Sequence, residues 1–263
     1  MMKRFAWVLA PALILTVPRF ATAVDHNNID AGRPLSFDDA ETIAFREFSM
    51  EMGPSLVFPY RQHTGLALDA EFLYGFALNT HAGVGVEAVA GGRAGSAETD
   101  FAVEALDVNV LRNFNREYGN VPAFSLRADA VFTPDGSRKG AEVRLRAIAS
   151  RALVQYDRLH LNLDAVVATS PEEGERGFRP GAVLGYTRPL GYPRRFDRTG
   201  LAEVAVHASE TESAGAVTSL GVGVRQQITV RSVVDVGIRA DIAASRREAH
   251  DDVTVVAGYS IGF

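Results

Sequence analysis

His207-Ala208-Ser209 sets an imidazole and a hydroxyl two residues apart. In an extended strand both side chains then share one face, and a base beside a hydroxyl is the start of a nucleophilic pair. Such a pair needs a third group to orient the ring, and no Asn stands at a matching height in the neighbouring runs. The adjacent carboxylates Asp38 and Asp39 precede Ala-Glu-Thr-Ile-Ala-Phe and are expected to cap a short helix. A calcium site would need more converging oxygens than surround them in sequence. His81 and His160 stand alone on the polar parity of their runs, where hydrogen-bonded packing is expected rather than metal ligation. The chain has no Cys, which removes thiol chemistry, disulfides and most structural zinc sites. No cofactor and no metal is expected.

Opposite charges that hairpins would bring face to face are more numerous. A turn at residues 134–139 sets Asp129 opposite Arg144, and a turn near Tyr156 sets Arg146 opposite Asp164. Arg225 comes near Asp235 in the same way. Facing charges of opposite sign stabilise a strand pair, and burial in a narrow interior demands that compensation. Two uses are open: packing of a filled interior, or a charged constriction that sorts small solutes.

The elements that must position these groups alternate. Phe48, Met50, Met52, Leu56 and Phe58 share one parity, with Glu47, Ser49, Glu51 and Ser55 on the other. Leu159, Leu161, Leu163, Ala165 and Val167 oppose His160, Asn162 and Asp164. Similar runs recur to the end, and one (from Phe101 to Arg112) switches parity near Ala105, as a bulge would make it do. Each run has roughly the ten residues that a tilted strand needs to cross a bilayer. A soluble sandwich also alternates. Here, however, the polar face is rich in Gly, Ser and paired charge, and aromatics gather at run ends as interfacial girdles do. The expected fold is all-β, a transmembrane antiparallel β-barrel of about twelve strands over residues 45–263. Gly83, Gly85, Gly181, Gly185, Gly221, Gly223 and Gly237 point inward and leave room, either for a pore or for residues 24–44 as a periplasmic or plug segment.

Export is expected. Lys3 and Arg4 precede an apolar stretch that ends on Ala21-Thr22-Ala23, so residues 1–23 read as a signal peptide cleaved near Ala23. An anchor helix would need about 20 apolar residues, and Pro11 and Pro18 interrupt this one. An even strand count puts both termini on the periplasmic side and makes residues 91–99, 133–140, 169–179 and 245–251 extracellular. The last strand carries Tyr259, Ile261 and Phe263 on its lipid face. The formal charge of −5 without basic runs argues against nucleic acid. The expected surroundings are outer-membrane lipid of a Gram-negative envelope.

The segment GRPLSFDDAETIAFREFSMEMGPSL resembles the opening of the outer-membrane family named for the meta-pathway of phenol degradation, through Arg33, Pro34, Leu35, Asp38, Asp39 and Ala40. VNVLRNFNREYGNVPAFSLRADAVFTPDG is similar to that family's central hairpin. The resemblance implies an outer-membrane barrel described as a transporter, and phenol as a substrate does not follow from it. The expected function is a channel or transporter for small solutes, hydrophobic or aromatic ones among them. Resemblance to outer-membrane barrels also implies that Tyr259, Ile261 and Phe263 present the last strand to the barrel-assembly machinery. The alternatives are a structural or envelope-stress protein with a closed lumen and, through His207 and Ser209, an enzyme like outer-membrane phospholipase A. The expectation is that the protein is not an enzyme.

Overall fold

The computed structural model describes residues 33–59, 64–90, 101–134, 139–154, 156–191, 193–244 and 251–263. The expected signal peptide, residues 24–32, the loop at 91–99 and residues 245–250 lie outside the described residues. Twelve strands are present: β1 (Phe48–Pro59), β2 (Gly65–Ala77), β3 (Thr80–Ala90), β4 (Phe101–Asn115), β5 (Ala123–Phe132) and β6 (Ala141–Ala152), then β7 (Arg158–Ala168), β8 (Phe178–Pro189), β9 (Arg198–Ala208), β10 (Ala216–Thr229), β11 (Ser232–Ala244) and β12 (Asp251–Gly262). Each pairs antiparallel with its sequence neighbours, and β12 pairs with β1, so the sheet closes as a barrel. Closure is what removes unpaired edge groups, which lipid cannot satisfy.

The strand faces are inverted relative to a water-soluble protein. Val84, Val222 and Val236 are 56%, 57% and 53% exposed, whereas Asn109, Arg127, Arg146, Asn162 and Thr254 are buried. Alternation therefore puts the apolar parity outside, towards lipid, and the polar parity in the lumen. The parity switch in β4 has a local cause. Glu87 pairs with Ala105 but Ala88 pairs with Val103, which leaves Glu104 as the extra residue of a bulge. Phe178 and Arg179 belong to β8, so the connection expected at 169–179 ends two residues earlier.

The chain end is tied down as a barrel seam requires. Phe48 and Phe263 exchange two backbone hydrogen bonds of 3.0 Å each, and their rings lie 6.0 Å apart. Phe48 also stacks on Tyr74 at 4.5 Å, at the same rim. Residues 33–47 precede β1 and run around the inside of the wall. From Arg33 at β1 and β12 they pass β10 and β11, then successive strands from β9 down to β2, before entering β1 at Phe48.

Candidate functional site

An irregular segment inside a barrel has no ladder, so each backbone group must find another partner. Here the wall's polar side chains supply them. Asn162 accepts from the Asp38 N–H at 2.6 Å and donates back to the Asp38 carbonyl at 3.0 Å. Ser150 Oγ accepts the Ala40 N–H at 2.9 Å, while Asn113 Nδ2 donates to the Ala40 carbonyl at 2.8 Å and the Ser125 hydroxyl donates to the same oxygen. Glu203 takes both the backbone N–H and the hydroxyl of Ser36, at 2.7 and 2.8 Å. The two lone histidines belong to this seat. His81 Nδ1 accepts the Ile43 N–H at 3.3 Å, and His160 stacks on Phe37 with centroids 5.1 Å apart. His160 is also within hydrogen-bond distance of Ser150 and Thr187.

Apolar wall residues complete the seat. Leu35 and Phe37 pack with Val183, Leu201 and Ala205, and Ala40 packs with Leu111, Ala123 and Ile148. These are the places where the lumen parity turns apolar, so burial of the segment draws on hydrophobic contact as well as hydrogen bonds. Gly185 is required by close approach: a Cβ there would stand inside the Phe37 ring. The inward room expected at Gly185, Gly221, Gly223 and Gly237 is taken by Phe37, Leu35 and Pro34.

Charge locks the centre. Asp38 is 1% exposed and lies 2.6 Å from Arg146 Nη1 and 3.6 Å from Arg127 Nη1. Arg146 also holds Asp164 through two bonds of 2.7 and 2.8 Å and donates to the Ser36 carbonyl at 2.8 Å. Asp39 faces Arg158 at 3.4 Å; burial pushes its carboxyl above the ordinary range, and the Arg158 guanidinium opposes that rise. The helix expected after Asp38 and Asp39 does not form. Their carboxylates are taken by wall arginines, and the residues that follow are not helical.

Arg33 bears on the closure itself. The β1–β12 ladder pairs Met52 with Tyr259 and Ser55 with Val256 but skips Gly53 and Pro54. Proline has no N–H to give, and the Arg33 guanidinium donates there instead, to the Ala257 carbonyl at 3.4 Å and the Gly53 carbonyl at 3.3 Å. Its third bond, 2.5 Å long, goes to Asp69. A Cβ at position 53 would collide with the Ala257 carbonyl, so glycine is needed for that approach.

The three charge pairs expected from hairpin register differ in outcome. Arg146–Asp164 forms as described, and Arg144 reaches Asp129 at 3.0 Å. Asp129 also takes Arg127 Nε at 2.8 Å, and Arg127 reaches Glu71 at 3.3 Å. Arg225 and Asp235 are cross-strand partners, yet no hydrogen bond joins them. Asp235 leans instead over Gly258, its register partner on β12, where the absent side chain leaves room for the carboxylate. Arg127 and Arg144 should therefore behave differently. Arg127 is buried and serves three carboxylates, whereas the Arg144 side chain is 33% exposed. Arg127→Met should cost about 3 kcal/mol or more, the usual price of an orphaned buried charge, and Arg144→Met less than about 1 kcal/mol. The measurement is urea unfolding in lipid vesicles. Equal losses would mean that Asp129 is as well solvated on its Arg127 side as on its Arg144 side.

Beyond the segment, towards the end opposite Phe48 and Phe263, the described residues line cavities of about 700 and 540 Å³. Glu142, Arg144, Arg239 and Thr254 line both. His207 is exposed in the larger one and Ser209 is buried, and no hydrogen bond joins them, so the nucleophilic pair weighed as an alternative is not assembled. Among the described residues no group of three or more His, Asp or Glu is arranged to hold a metal.

No family model matches the chain, and no curated protein does. The resemblance to the phenol meta-pathway family therefore stands on the residues quoted for it alone. Solved structures do match in fold. An outer membrane channel from Pseudomonas putida F1 superposes with a TM-score of 0.65 at 11% identity, over 86% of this chain and 98% of that one. The NanC porin gives 0.60 at 8% identity, over 81% and 98%. The KdgM porin gives 0.52 at 10% identity, over 82% and 99%. The architecture is thus a closed, twelve-stranded antiparallel barrel of the kind found in outer-membrane channels.

Proposed function

We propose that the protein is an outer-membrane channel for small polar solutes, exported through the leader at residues 1–23 and narrowed from within by residues 33–47. The observation that carries this reading is the pairing of a lipid-facing apolar exterior with charge-lined cavities above the internal segment. The fold shared with outer-membrane channels and porins adds support. The solutes expected from the sequence included hydrophobic or aromatic ones. The cavity lining favours polar ones, because desolvating an apolar solute gains nothing beside fixed charges that hold their own water.

The dense seating of Asp38 and Ala40 favours a second reading, a structural barrel with a closed lumen. Planar-bilayer recording on the purified protein separates the two. Small, discrete conductance steps are expected for the wild type, and larger ones for Gly185→Val, which displaces the Phe37 ring. A barrel that stays silent in both forms is structural.

A further inference from the structure

We propose that the smaller cavity is a binding site for a zwitterionic solute, one that carries a carboxylate and an ammonium group several bonds apart. The inference rests on the channel reading for its biological role, but it concerns binding and is read without conduction.

It follows from which lumen charges already have partners. In the smaller cavity Arg33 is bonded to Asp69, Arg127 to Glu71 and Asp129, and Arg144 to Asp129. Glu142 is paired with Arg179. Three charged groups lining the same cavity remain without an ion pair among the described residues: Glu87 on β3, Asp107 on β4 and Arg239 on β11. Asp107 accepts only an amide N–H from Asn109, at 3.2 Å. The register aggravates the acidic side, since Glu87 stands directly opposite Asp69, and like charges so placed repel. A cation beside Glu87 and Asp107 relieves that repulsion, and an anion beside Arg239 supplies its missing partner.

The two walls are not adjacent. From β3 to β11 there are four strand steps around the seam, roughly 19 Å along the sheet at about 4.8 Å per step. Carboxylate and guanidinium side chains reach inward from both walls and shorten the gap, but no hydrogen bond closes it. A single small ion therefore satisfies only one wall. A zwitterion satisfies both and lies along the field between them, the arrangement in which fixed charges orient a dipolar solute. The volume of about 540 Å³ falls within the ordinary range for small-molecule sites.

The test is calorimetric titration of the full-length processed barrel in detergent micelles with glycine, 3-aminopropanoate, 4-aminobutanoate and 6-aminohexanoate. Acetate and methylammonium serve as single-charge probes. Affinity is expected to peak at one chain length, above both probes. Arg239→Gln should weaken the best zwitterion by about tenfold or more, as loss of a charged hydrogen-bond partner does, and so should Glu87→Gln with Asp107→Asn. Both sets of changes are close in size to the native side chains, and the heat-modifiable gel shift reports whether each barrel is folded. Acetate or methylammonium binding as tightly as every zwitterion would overturn the proposal, leaving a plain ion site. So would zwitterion affinities untouched by these substitutions, or no heat at all from the folded wild type. A barrel that binds a zwitterion but passes no current refutes the channel reading and leaves the site standing.

Discussion

Asp38→Ala should raise single-channel conductance several-fold while leaving the barrel folded. Asp38 sits between Arg127 and Arg146 at the centre of the internal segment. Both arginines keep other carboxylates after the change, Asp129 and Glu71 for the first and Asp164 for the second. The wall's own charges thus stay compensated, and the loss falls on the docking of the segment. Losing a hydrogen bond between charged groups costs about 1.5–3 kcal/mol. At about 1.4 kcal/mol per tenfold, even the lower figure shifts the docked-to-undocked ratio by about tenfold. Gly185→Val gives a comparison that does not touch charge, because it removes the space for Phe37. Both variants should show larger steps in a planar bilayer and an unchanged heat-modifiable gel shift. If both fold and conduct as the wild type does, residues 33–47 do not limit passage.

Phe263→Asp, or deletion of Phe263, should strongly reduce the folded, membrane-inserted barrel without reducing export to the periplasm. The last residue closes the sheet through two backbone bonds to Phe48 and carries a ring that stacks on Phe48 and leans on Phe72. Aromatic contacts of this kind contribute about 0.5–1.5 kcal/mol each beyond burial, and a carboxylate at the rim forfeits them. Val255→Asp, on the lipid face of β12, should also impair insertion, since a charge there meets hydrocarbon. Thr254→Asn faces the lumen and should insert normally. The readout is the heat-modifiable shift of the outer-membrane fraction against total exported protein. Normal insertion of the Phe263 variants alongside failure of Thr254→Asn would show that β12 does not present the faces assigned to it.

The lipid and lumen faces were legible because alternation is a local property with a period of two, and so was the bulge near Ala105, where that period breaks. Arg146–Asp164 and Asp129–Arg144 were legible for a related reason. A short hairpin sets its own register, and facing residues follow from counting outward from the turn. Arg225–Asp235 marks the limit of that counting, since the register is as expected but the carboxylate points to the next strand.

The internal segment is another matter. The wall residues that receive it break the alternation, Leu111, Ile148, Val183 and Leu201 being apolar on a polar parity, but nothing local says what covers them. Asp38 meets Arg146 across 108 residues of chain and Asn162 across 124. A segment without secondary structure carries no periodicity from which such partners can be read. Only closing the barrel brings β4 to β9 around one lumen, where the polar and apolar exceptions of six strands converge on residues 35–40. The sequence by itself determined a membrane-crossing barrel and which side of each strand meets lipid, because those follow from neighbours along the chain. That residues 33–47 fill the lumen at one end, with charge-lined cavities beyond them, was decided by the tertiary structure, because it depends on contacts that exist only once the sheet has closed.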